Sequence, residues 1–248
     1  MEQKDIEKLK QAGRIAAQVL EYGKGLVKKD ASLLEVLDKV EAKISDLGAK
    51  PAFPAQISCN HIAAHYCPDE EDKTVFSDQV VCLDVGVHVD GFIGDNAVTV
   101  DLSGKHGDLV KASREALENA IKTIKVGVTL GEIGKAIQDT IQKYGFAPVR
   151  NLSGHGLGVY EQHTKPSIPN FDNGDTTKIE NGMVFAVEPF ASTGAGIVQE
   201  SGIATVFSLG TKKPVRNAIT RQVLEEIESY DGLPFTTRWL TRKFGVKA

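Results

Sequence analysis

Two apolar runs, QVVCLDVGVHV (79–89) and FIGDNAVTV (92–100), are separated only by Asp90-Gly91. No other feature of the chain restricts its fold as tightly. Runs rich in β-branched residues read as strands, and Asp-Gly suits the two-residue turn whose central residues both need φ above zero. The pair is therefore predicted to be an antiparallel hairpin with Val89 opposite Phe92. That register puts Asp84 opposite Ala97, with Asp95 two residues from Ala97 on the same face. Same-face diagonal neighbours lie ~7–8 Å apart at Cα and closer at their side chains. Either aspartate alone would read as a solvent-facing group on an edge strand. Two on one face of so apolar a hairpin are costly unless they bind a cation or share a proton. The favoured reading is a metal.

The other elements follow from periodicity and punctuation. Residues 4–22 carry Ile6, Leu9, Ile15, Val19 and Leu20 near helical spacing. Ser32 with Glu35 forms a capping box that opens a second helix through Leu37, Val40 and Ile44, stopped by Gly48. Pro51 and Pro54 then impose an extended passage. Helices are predicted over about 107–124 and 130–144, the second capped by Thr129 with Glu132 and closed by Gly145. Residues 215–230 read as helical again. NLSGHGLGVYEQH (151–163) reads as strand and loop, and MVFAVEPF (183–190) as a buried strand ended by Pro189. This order points to an α+β fold of two halves around one sheet. No low-complexity linker divides them, so one domain is expected.

At 248 residues the chain is long enough to bury a sizeable core. Its net charge of −4 offers no global attraction to nucleic acid or an anionic membrane. Three cysteines, all between Cys59 and Cys82, suit a reducing compartment better than a disulfide framework. The opening MEQKDIEKLKQAG lacks the apolar core of a signal peptide, and no uncharged apolar run approaches the length of a membrane span. The cytoplasm is the expected compartment.

SCNHIAAHYCP (58–68) resembles a zinc knuckle, with Cys59, His61, His65 and Cys67 in close succession. On a strand, Cys59 and Cys67 would stand ~26 Å apart at ~3.3 Å per residue. A tetrahedral zinc needs every donor within ~2.0–2.3 Å of one point. On a helix His61 and His65 could share a metal, but each cysteine would need a tight turn beside it. The segment therefore reads as two ordinary thiols and one or two working histidines. Elsewhere, Glu188 places a carboxylate at the end of the apolar MVFAVEP, and His155 in SGHGLG lies between glycines that let backbone and ligand approach closely. A lone histidine in such a loop is as often structural as functional. Together Asp84, Asp95, His155 and Glu188 make an oxygen-rich set with one imidazole. That set suits manganese, cobalt, iron or zinc in a hydrolytic site better than a structural thiolate centre. Carboxylates can also bridge two ions ~3.5–4 Å apart. Competing motifs are weak: LDVG is a lone D-x-G, and GHGLG lacks the glycine spacing of a dinucleotide fingerprint. No G-x-S-x-G, Walker loop or paired CxxC occurs.

Taken in order, PAFP, AAHY, LDVGVHVDGFIGDNAVTV, NLSGHGLGVYEQH, FAVEPFASTGAG and LPFTTRWL closely resemble the type II methionine aminopeptidases of archaea and eukaryotes, within the pita-bread metallopeptidase family. The resemblance implies two pseudo-symmetric α+β halves around a curved antiparallel sheet, with a helical insertion near the C-terminus. It implies that Asp84, Asp95, His155 and Glu188 are ligands of two divalent ions, cobalt, manganese, iron or zinc. It also implies that His65, in AAHY, and His163, eight residues after His155, contact substrate and position its N-terminal amine and scissile peptide. Phe53 is a candidate wall of the methionine pocket. Glu188 is a further candidate proton carrier, a place usually held by a second glutamate.

The implied activity is removal of initiator methionine from nascent proteins and peptides with a small second residue. Ribosome association and a monomeric state are expected, without membrane or nucleic-acid partners. The family's fifth ligand is a glutamate on a C-terminal strand beyond the insertion. Here the insertion spans about 197–248 of a single catalytic domain, 1–248, and the C-terminal strands are expected to be absent. Glu200 comes too soon after Glu188 to take the place. The chain is accordingly expected to be a truncation or a divergent member. Two other readings stay open: a prolidase-like peptidase, and a non-catalytic relative acting as a protein- or RNA-binding factor.

Overall fold

The Asp90-Gly91 hairpin forms in the predicted register. In the structure, a computed structural model that describes residues 1–245, the pairing runs unbroken from Val80↔Asp101 to Val89↔Phe92. Asp90 and Gly91 take φ of 50° and 84°, as the expected turn requires. Residues 246–248, the last of the expected insertion, lie outside the described residues.

The chain begins with helices α1 (Gln3–Leu26) and α2 (Leu33–Asp46), then strands β1 (Lys50–Pro51), β2 (Gln56–Cys59), β3 (Val80–Val89) and β4 (Phe92–Asp101). Helices α3 (Gly107–Thr123) and α4 (Leu130–Lys143) follow, then β5 (Ala147–Pro148), β6 (Ser153–Gly158), β7 (Glu161–Pro169) and β8 (Ala191–Ser192). The last elements are β9 (Val206–Phe207), α5 (Ala218–Glu228), β10 (Phe235–Thr236) and α6 (Thr237–Phe244). Two compact units result, one built from 1–103, 159–162 and 202–248, the other from 104–158 and 163–201.

In the first unit β3 is central to a four-stranded antiparallel sheet, pairing with β1 and β2 on one edge and β4 on the other. Strand alternation divides its faces. Val81, Leu83, Val85 and Val87 are fully buried and pack with Ile15 and Val19 of α1 and Leu37, Val40 and Ile44 of α2. Burying one such side chain contributes roughly 1.5–3 kcal/mol. The helices therefore hold that face, and Asp84 belongs to the other. Ser32 caps α2 by accepting the Glu35 N–H at 3.3 Å, while the Glu35 carboxylate turns to Lys39 at 3.6 Å, so the box is one-sided.

Helix α6 is fastened to α2 by charge. Arg238 is fully buried and donates to Asp38 Oδ1 and Glu41 Oε1, each at 2.8 Å, and Trp239 Nε1 donates to Glu41 Oε2 at 2.9 Å. Arg242 completes the cluster with two 2.8 Å bonds to Asp38.

In the second unit Ile133, Ile137 and Ile141 of α4 pack with Ala116 and Ala120 of α3. Thr129 and Glu132 form the complete capping box at the start of α4. Strands β6 and β7 pair, as do β5 and β8. The strand predicted over MVFAVEPF does not form. Its residues are half-buried, and only Phe185 makes a bridge, to Gly156. Two bonds tether it to β6: Leu157 N–H to Val184 O at 2.9 Å, and Ala186 N–H to His155 O at 2.8 Å. Among the described residues no ladder forms on its other edge. An apolar run signals extension and burial, but it does not say how many edges find partners.

Candidate functional site

In the first unit the predicted carboxylates fall as the hairpin register requires. Asp84 opposes Ala97 and Asp95 opposes Gly86, so the two half-buried aspartates are diagonal neighbours on one face. Gly86 lies in the same row. A Cβ built there would meet the Phe53 ring at 2.1–2.6 Å. The buried Phe53 ring thus occupies the space left by the glycine, on the face that carries both carboxylates.

The backbone of His65 is held on that side by a residue the sequence reading passed over. Gln56 of β2 pairs with Asp84 of β3, and directly opposed residues project to one side of a sheet. Gln56 is buried, and its Oε1 accepts the His65 N–H at 3.1 Å. His65 is exposed, with φ of 65°. The signal that could have singled out Gln56 is a long amide inside the otherwise apolar AFPAQI.

In the second unit the glycines around His155 admit backbone on both sides. A Cβ at Gly154 would lie 2.2 Å from Ala186 O, and one at Gly156 would lie 2.3 Å from Lys165 O. The buried His155 places Nδ1 3.2 Å from Gly156 O. A carbonyl can only accept, so Nδ1 carries a proton. In the neutral ring Nε2 is then the acceptor, the tautomer typical of a metal-bound histidine whose other nitrogen donates to a carbonyl. Nε2 lies 2.9 Å from Glu188 Oε1. That is an ion-pair distance if the ring is protonated, yet Oε1 is buried and accepts no hydrogen bond. An imidazole nitrogen and a carboxylate oxygen side by side are donors of the kind a divalent cation takes. The exposed His163 of β7 stands edge-on to His155, with ring centroids 4.2 Å apart.

Asp84 and Asp95 thus belong to the first unit, and His155, His163 and Glu188 to the second. Among the described residues no group of three or more His, Cys, Asp or Glu side chains is gathered to hold a metal. In SCNHIAAHYCP, Cys67 is buried with Sγ 4.0 Å from Arg238 Nη2. Burial pushes both the Cys59 and Cys67 thiols up, away from the thiolate a metal would require. A cavity of about 480 Å³ in the first unit is lined by Lys50, His88, Tyr230 and Trp239 among others, and by none of the predicted site residues.

Residues 7–222 match metallopeptidase family M24. A methionine aminopeptidase of Archaeoglobus fulgidus is 48% identical over 238 residues, covering 95% of this chain and 81% of its own. One from Methanocaldococcus jannaschii is 45% identical over 244 residues, covering 98% and 83%. Among solved structures, a methionine aminopeptidase from Thermotoga maritima is 33% identical with a TM-score of 0.73, over 79% of this chain and 83% of that one.

Proposed function

The chain belongs to metallopeptidase family M24, and from that premise we infer that it hydrolyses the first peptide bond of proteins and peptides that begin with methionine. It has the pita-bread fold and is a metal-dependent methionine aminopeptidase. We propose that it uses two ions of cobalt, manganese, iron or zinc, with Asp84, Asp95, His155 and Glu188 as ligands. The observation that carries this assignment is the His155–Glu188 pair, 2.9 Å apart with a buried carboxylate oxygen that accepts no hydrogen bond.

When bound, divalent metal polarises the scissile carbonyl and lowers the pKa of water. The chain's own residues do the rest. Phe53 offers an apolar wall for the methionine side chain, beside both aspartates. His65 and His163 orient the N-terminal amine and the scissile peptide. The Glu188 carboxylate is also the proposed proton carrier. Preference for a small second residue, action at the ribosome as a monomer, and a cytoplasmic location complete the proposal. No described helix is long and apolar enough to cross a membrane.

The test is to load the full chain with manganese or cobalt, measure metal content, and follow hydrolysis of Met-Ala-Ser. Cleavage is expected. His65→Ala and His163→Ala should lower kcat with metal content nearly unchanged. A fully loaded chain that leaves the peptide intact would overturn the assignment. If His65→Ala, Cys59→Ala and Cys67→Ala all lost metal, the knuckle reading would return.

A further inference from the structure

We propose that Gln56 is a positioning residue for the reaction, acting through His65. The inference rests on the reading that His65 orients substrate. Gln56 is 4% exposed, and a buried amide is costly unless it is hydrogen-bonded. Its oxygen meets that need with one group, the backbone N–H of His65 at 3.1 Å. His65 is in the left-handed region, with φ of 65°, where a side chain crowds the following carbonyl. It is also exposed, so packing does little to fix it. A residue in such a conformation holds its ring in place only if its backbone is tied down. The Gln56 oxygen is that tie.

The placement of Gln56 gives the tie its meaning. Its cross-strand partner is Asp84, with Ile57↔Leu83 following in the same ladder. Ile57 N–H in turn donates to Tyr66 O at 2.9 Å, so the residue after His65 is bound to the residue after Gln56. One strand register therefore sets the distance between a proposed ligand and a proposed substrate-orienting histidine. A simpler role, in which the amide only closes a loop, predicts a loss of stability without any dependence on the imidazole.

A double-mutant cycle in the manganese-loaded full chain separates the two. Gln56→Leu keeps the size and removes the acceptor. It is expected to lower kcat about 10- to 100-fold, the scale of a misplaced catalytic contact, with metal content and KM little changed. In the His65→Ala background the same substitution should cost almost nothing. An equal loss in both backgrounds would overturn the proposal and leave Gln56 structural. No loss from Gln56→Leu beside a large one from His65→Ala would overturn it and leave the role of His65 standing. An inert His65→Ala would remove the reading beneath both. Should Gln56→Leu fail to fold, Gln56→Met, which also lacks the acceptor, takes its place in the cycle and is read in the same way.

Discussion

Replacing Gly86 by alanine should strike the Phe53 ring and leave the carboxylates beside it in place. The new methyl would sit 2.1 Å from the nearest ring carbon, against ~3.5 Å for an ordinary carbon contact. The ring would have to retreat by about 1.4 Å to relieve the overlap. It has little room, being 1% exposed. Overpacking of this kind typically costs about 1–3 kcal/mol. For a chain of this length each kcal/mol lowers Tm by about 2–4 °C, so a fall of roughly 2–12 °C is expected. KM for methionyl peptides should rise as the wall shifts, while metal content holds, because Asp84 and Asp95 keep their pairing. Phe53→Leu in the alanine background should recover part of the stability, a coupling of about 0.5–3 kcal/mol. Calorimetry on the four chains of this cycle, with KM on Met-Ala-Ser, reads both effects. A Gly86→Ala chain with unchanged Tm and KM, and no coupling to Phe53, would refute the placement of the ring.

Asp84→Ala, Asp95→Ala or His155→Ala should each abolish metal uptake or activity; full metal stoichiometry in Asp84→Ala would remove the hairpin argument. Burial, and then Lys50, holds the His88 imidazole below its usual 6.5, so the unfolded chain takes up its proton at a higher pH than the folded one. The stability tied to neutral His88 is complete above pH 6.5 and declines as pH falls toward the folded pKa. His88→Phe should therefore flatten the loss of urea midpoint between about pH 7 and 5, and an unchanged slope would refute it. Arg238→Met takes the buried cation from Glu41, while Asp38 keeps Arg242, and should cost about 3 kcal/mol. Adding Asp38→Asn and Glu41→Gln should return part of that, and a single variant as stable as the parent would count against the cluster.

What could be read from the sequence was what local chemistry decides. Asp90-Gly91 is a two-residue turn that dictates every pair in the hairpin, so the diagonal of Asp84 and Asp95 followed with it. Thr129 with Glu132 capped α4 as its spacing indicated. MVFAVEPF failed because a strand needs partners elsewhere in the chain, and an apolar run carries no record of them. Gln56 stood out as an amide in AFPAQI, but its role was hidden for a related reason. Its meaning lies in two contacts, one across the sheet and one to a residue of positive φ, and neither leaves a periodic trace. Arg238 carried no sign of its role, since nothing near it in sequence announces Asp38 and Glu41.

The first unit is discontinuous, and that sets a timetable for its assembly. Residues 1–103 are made early, but their partners in 202–248 are not. At ~5–20 residues per second, the roughly 100 intervening residues take about 5–20 s to synthesise. For that interval α2 waits without the guanidinium that joins Asp38 to Glu41, and its acidic face is open to water and to chaperones. Helix–sheet contacts among α1, α2, β3 and β4 can form meanwhile, since all four lie within the first 103 residues. Closure by α6 follows theirs, so substitutions at Arg238 should shorten the lifetime of folded chains more than they slow folding.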